Sequence, residues 1–100
     1  MLDAGKITGF DWDDGNSRKS TEKHFVTQRE AEEIFQDSRL LVFKDDEHSQ
    51  REGRFQAYGS TASGRKLSVA FTLRMDGTLI RIISARAMSR KERARYEEEA

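Results

Sequence analysis

The chain has 100 residues, no cysteine and no apolar run approaching the length of a membrane span. That length suits one domain, 1–100, with a single modest core, and the lack of cysteine excludes disulfides and a thiolate zinc site. Its 18 Lys+Arg balance 18 Asp+Glu, but residues 1–50 carry 7 cations against 12 acids and residues 51–100 carry 11 against 6. Nearly all the cations of the basic second half are arginine, whose planar fork suits phosphate. Such a split fits either a polyanion partner or two halves that attract each other. The start of the chain lacks the apolar centre of a signal peptide, so a soluble cytoplasmic protein is expected.

In chain order, Ile7 to Trp12 reads as a first strand with Phe10 and Trp12 on one face. Asp13 and Asp14 are natural helix N-caps, and a short, very polar helix is expected from there to Lys23. Thr27-Gln28-Arg29-Glu30 is a capping box opening a core helix with Ala31, Ile34 and Phe35, and Val26 stands in front as a staple. Leu40 to Phe43 is a short strand, followed by the acidic turn Lys44-Asp45-Asp46-Glu47 and by a strand from Arg54 to Gly59. Ser60 to Gly64 is a loop of turn residues.

Leu67, Val69, Phe71 and Leu73 alternate with Ser68, Ala70, Thr72 and Arg74, the period-2 pattern of a half-buried strand. Asp76-Gly77 predicts a tight hairpin turn into Leu79 to Arg86, whose aliphatics on both faces predict an interior strand. Ser89-Arg90-Lys91-Glu92 is a second capping box opening a last, charged helix. The order β-α-α-β-β-β-β-α predicts an α+β fold: an antiparallel sheet of about four to five strands, two N-terminal helices and one C-terminal helix.

Three groups of residues could carry chemistry. Lys23-His24 closes the polar helix: histidine can exchange a proton at neutral pH and the ammonium can hold a phosphate. The same pair also complements a helix dipole. Arg54, Arg74, Arg81 and Arg86 could converge on a phosphorane-like charge, or pair with Glu52 and Asp76 across strands. Asp45, Asp46, Glu47 and His48, with Asp11, Asp13 and Asp14, would suit magnesium or manganese, but adjacent acids in a turn point different ways. No metal and no cofactor are therefore expected.

These residues together resemble the BrnT family of type II toxin–antitoxin toxins, small ribonucleases with a RelE-like fold. The matching pieces run in order across almost the whole chain: Phe10-Asp11-Trp12-Asp13, then Asn16, Lys19 and Ser20, then Lys23-His24 with Val26, then Ile34-Phe35. Asp46-Glu47-His48-Ser49, Glu52, Arg54, Arg81 to Arg86, and Ser89 to Arg93 with Tyr96 complete the match. Where the family commonly has glycine after Lys-His, this chain has Phe25, and an altered turn before the core helix is expected.

The resemblance implies cleavage of RNA, messenger RNA in particular, halting translation. It also implies a BrnA-type antitoxin partner, with operator DNA bound only through the complex. On this reading Lys23, His24, Arg74 and Arg86 are catalytic, with the ribose 2′-hydroxyl attacking the neighbouring phosphate, and Arg54, Arg81, Arg90 and Trp12 bind RNA, unless Arg54 and Arg81 support the site through Glu52 and Trp12 packs under the polar helix. The competing expectation is a non-catalytic module that binds nucleic acid or antitoxin through the same arginine face and acts as a co-repressor.

Overall fold

The computed structural model describes residues 4–12, 25–45 and 53–99. A short 3₁₀ turn (Ala4–Lys6) leads into β1 (Gly9–Phe10), then α1 (Gln28–Glu33) running on as a 3₁₀ turn (Ile34–Gln36). Then come β2 (Leu41–Lys44), β3 (Arg54–Ser60), β4 (Lys66–Arg74), β5 (Leu79–Ala87) and α2 (Arg90–Glu99). The five strands form one sheet in the order β1-β5-β4-β3-β2.

The α+β class is as expected, with two departures. The sheet is mixed, because β1 runs parallel to β5 while β2, β3, β4 and β5 pair antiparallel. Among the described residues there are two α-helices instead of three, and the polar helix expected between Asp13 and Lys23 lies outside them.

Both capping boxes form. Thr27 Oγ1 accepts from the Glu30 amide at 3.1 Å, and the Glu30 carboxylate accepts from the Thr27 amide at 3.0 Å. Ser89 and Glu92 exchange the same two bonds at 3.2 and 2.8 Å. These caps satisfy amides that the first turn of a helix leaves without partners.

α1 packs on one face of the sheet, where Val26, Ala31 and Ile34 meet Ala57, Leu67, Val69, Phe71, Ile80, Ile82 and Ala85 in the main core. Gly59 is required there: a Cβ would stand 2.9 Å from Ile34 Cβ, closer than carbon atoms pack. The opposite face carries a smaller cluster of Tyr58, Met88 and Tyr96, with Leu41 and Phe43 against it.

β5 is interior, between β1 and β4. Its Ile82-Ile83 doublet has a cause other than burial on both faces. Phe71 pairs with Ile82 and Ala70 with Ser84, so Ile83 is the extra residue of a β-bulge. The bulge resets the alternation, sending Ile80 and Ile82 and then Ala85 into one core.

The β4–β5 connection is longer than the expected two-residue turn. Met75, Asp76 and Gly77 all take positive φ, and the amides of Gly77 and Thr78 both donate to the Arg74 carbonyl.

Candidate functional site

Register places the arginines. Arg86, Ser68, Tyr58 and Leu41 stand opposite one another on β5, β4, β3 and β2, forming one row on the face away from α1. Arg81, Thr72 and Arg54 form a second row on that face. Four strand positions separate Ser68 from Thr72, so the rows lie about 13 Å apart. Each arginine of the second row has a carboxylate at its edge of the sheet: Asp11 lies 3.5 Å from Arg81 and Asp45 lies 3.7 Å from Arg54.

Arg86 joins β5 to α2. Its Nη1 donates to Glu92 Oε1 at 2.6 Å and its Nη2 to Glu92 Oε2 at 2.8 Å, a two-point fork. Glu92 is also the capping-box acid of α2, so one carboxylate caps the helix and clamps it to β5. Hydrogen bonds from Arg86, outweighing burial and joined by those from Ser89, bring the Glu92 carboxyl down to about 2. The same fork raises Arg86 above its ordinary value.

The Tyr58 phenol sits under this junction. Burial raises its pKa, the charge of Glu92 adds to the rise, and Arg95 and Arg86 oppose it. A phenol held neutral remains a hydrogen-bond donor. Arg95 lies over the Phe43 ring at 4.2 Å, and Phe43 meets Tyr58 edge to face. Tyr96 pins α2 to the sheet from below, donating to Asp37 Oδ2 at 2.5 Å and sharing a hydrogen bond with Ser60 Oγ at 3.1 Å.

The expected site residues fall into separate places. Arg74 shares the face of Arg86 but stands at the other end of the β4–β5 hairpin, six positions from Ser68 and so about 20 Å away along the strand. The Arg86 guanidinium turns towards α2, so the two do not converge on one phosphate. Trp12 packs against the main core, and its indole N–H donates to Glu32 Oε2 at 2.6 Å on the α1 side. It is not brought together with Arg86. Arg90 is exposed in the first turn of α2, beside Lys91.

Lys23 and His24 lie outside the described residues, as do Asp13, Asp14, Asp46, Glu47 and His48. Among the described residues no group of three or more metal-ligating side chains stands together. No described helix is long and apolar enough to cross a membrane.

Phe25, next to His24 in sequence, is described. It takes φ of +56°, the left-handed conformation that glycine favours, with its side chain 79% exposed. Arg65 Nη1 donates to the Phe25 carbonyl at 2.8 Å and pairs with Glu30 of the capping box at 3.0 Å. The chain thus has a glycine-like backbone there without glycine. Phe25→Gly is expected to raise stability by about 0.5–1 kcal/mol, relief of left-handed strain less the extra freedom of an unfolded glycine. A urea unfolding midpoint checks it.

Tyr58, Glu92 and Arg95 carry no functional signal in the sequence. The Ser89–Glu92 spacing marked Glu92 as a cap. Its second role, as the partner of Arg86, follows only from α2 folding back onto β5.

The profile of the family described as "Ribonuclease toxin, BrnT, of type II toxin-antitoxin system" matches residues 12–92. No curated protein matches the chain. The family match spans the α1 core, all the long strands and the Arg86–Glu92 junction, and the chain therefore belongs to the BrnT family of type II toxin–antitoxin ribonuclease toxins.

Proposed function

We propose that this chain, as one catalytic domain over 1–100, is a cytoplasmic endoribonuclease that cuts messenger RNA without a metal ion and so arrests translation and growth. The observation that carries this reading is the Arg86 guanidinium at the β5–α2 junction, on the sheet face that also holds Arg54 and Arg81. Arginines of this kind, each with a carboxylate beside it, can exchange that partner for the phosphates of a backbone, and a guanidinium fork is suited to the charge that builds on phosphorus in transfer.

In the proposed reaction the 2′-hydroxyl gives up its proton and attacks the adjacent phosphorus. The P–O5′ bond breaks, and the departing 5′-oxygen takes a proton. His24 acts as acid or base, Lys23 holds phosphate, and Arg86 stabilises the pentavalent charge. Arg54, Arg81 and Arg90 bind the flanking backbone, and Arg74, at the far end of the hairpin, serves with them away from the scissile bond. A BrnA-type antitoxin covers the toxin, and operator DNA is bound only through that complex.

The neutralising fork from Glu92 favours a second reading, a non-catalytic module whose Arg86 is structural and which acts as a co-repressor. Incubation of purified protein with a short RNA, with and without EDTA, separates the two. Cutting that persists in EDTA and leaves a 2′,3′-cyclic phosphate with a 5′-hydroxyl end is the expected result. Salt-dependent binding of intact RNA would favour the module. Cutting that stops in EDTA would overturn the metal-independent chemistry.

A further inference from the structure

We infer that Arg95, laid flat on Phe43, is a stacking platform for a nucleobase of the strand whose phosphate lies at Arg86. This rests on the RNA reading above and adds to it a subsite that recognises a base instead of the backbone.

The platform is a built layer. The Arg95 guanidinium carbon lies 4.2 Å from the Phe43 ring centre, and its Nε donates to Glu99 at 2.7 Å. The Phe43 ring is set in turn by the edge of Tyr58, with centroids 5.2 Å apart at 77°. The guanidinium is therefore held from below and at one end, while the Arg95 side chain stays 43% exposed. A base stacking on its outer plane would extend the ring–guanidinium pile by one layer and would immobilise little that is not already fixed. Tyr58 lies two strand spacings from Arg86, about 10 Å, with Arg95 beside it. Arg95 lies on Phe43 and the Phe43 ring meets Tyr58, so the platform sits on the sheet face that carries Arg86.

The charge layout of α2 points the same way. Arg90, Lys91 and Arg93 are exposed in the N-terminal half and Glu97, Glu98 and Glu99 in the last turn, the reverse of what the helix dipole favours. Tyr96 is the buried residue of this helix. The arrangement costs the helix stability and leads a polyanion along the exposed cations towards Arg95.

The test uses a short 2′-O-methyl oligoribonucleotide, which the 2′-hydroxyl chemistry cannot cut, and its abasic counterpart with the same sugar-phosphate chain. Binding of each to the full chain is read by fluorescence anisotropy for wild type, Arg95→Lys and Phe43→Leu. Wild type should favour the oligomer with bases by roughly 5- to 100-fold. Arg95→Lys keeps the charge but loses the plane, so it should bring that ratio close to one while affinity for the abasic chain changes little. Phe43→Leu should lower the ratio in the same direction. An unchanged ratio in both variants overturns the platform, even if the wild type cuts RNA. A base-dependent ratio that the variants abolish, in a protein that cuts no RNA, upholds the platform and overturns the ribonuclease reading. Failure of the wild type to bind either oligomer overturns both.

Discussion

Arg86→Ala is expected to slow cleavage of a short RNA by about 10²–10³-fold in kcat/KM, the usual cost of removing one preorganised donor from a developing oxyanion. His24→Ala should fall in the wider range of about 10²–10⁴-fold expected for a general acid or base. The Arg86 variant carries a second signature, because its partner does not leave with it. Glu92 is held at about 2 mainly by Arg86, against an ordinary value of 4.5. A carboxyl depressed in the folded state stabilises the fold above pH 4.5, and that contribution is lost as the pH falls towards 2.

After allowance for solvent screening, the contribution is roughly 1–2 kcal/mol. Arg86→Ala should therefore lower the urea midpoint at pH 7 and flatten its decline between pH 5 and 2. Glu92→Gln should flatten the same decline. Loss of cleavage in step with loss of folded protein would make Arg86 structural. Loss of cleavage in fully folded protein would make it catalytic.

Phe71→Ala is expected to cost about 3–5 kcal/mol, out of the roughly 5–15 kcal/mol that a domain of this size has in total. The ring is fully buried, lies edge-on to Phe35 at 5.3 Å and stacks on Phe55 at 5.4 Å. Phe35 in turn meets Phe10 at 5.6 Å. Phe71 thus joins the turn after α1 and β3 to β4, with β1 linked through Phe35, and removing its ring opens a cavity beside Phe35 and Phe55. At about 4–8 °C per kcal/mol, the melting temperature should fall by well over 10 °C. Phe71→Leu retains most of the volume and should cost far less. Equal losses in the two variants would show that the site does not depend on packing as described.

Much of the fold could be read from local pattern. The alternation from Leu67 to Leu73 and the two capping boxes depend on neighbours a few positions away, and the elements formed where those patterns stood. The parallel seam between β1 and β5 could not be read, because Gly9-Phe10 carries no signal of which strand it will join, or in which direction. The Ile82-Ile83 doublet looks the same whether a strand is buried on both faces or bulged, and only the partner strand decides.

The site shows the same division. Arg86 could be picked out by its chemistry and its place before a cap, but its separation from Arg74 is a matter of register over the whole length of β4. The Trp12 indole carries the chemistry of either a stacking face or a core piece, and its packing on the core and its bond to Glu32 depend on α1 lying beside it. The pile of Arg95 on Phe43 joins residues from opposite halves of the chain and has no local signature.

The β1–β5 pairing also sets a timetable. Gly9 and Phe10 pair with Leu79 and Ile80, about 70 residues later in the chain. Chains grow at about 5–20 residues per second, so β1 must wait several seconds for the strand it joins. The β5–α2 junction, which holds Arg86, is completed later still. A nascent copy therefore has neither its β1–β5 seam nor its Arg86–Glu92 junction until residues 79–92 have followed β1 out of the ribosome.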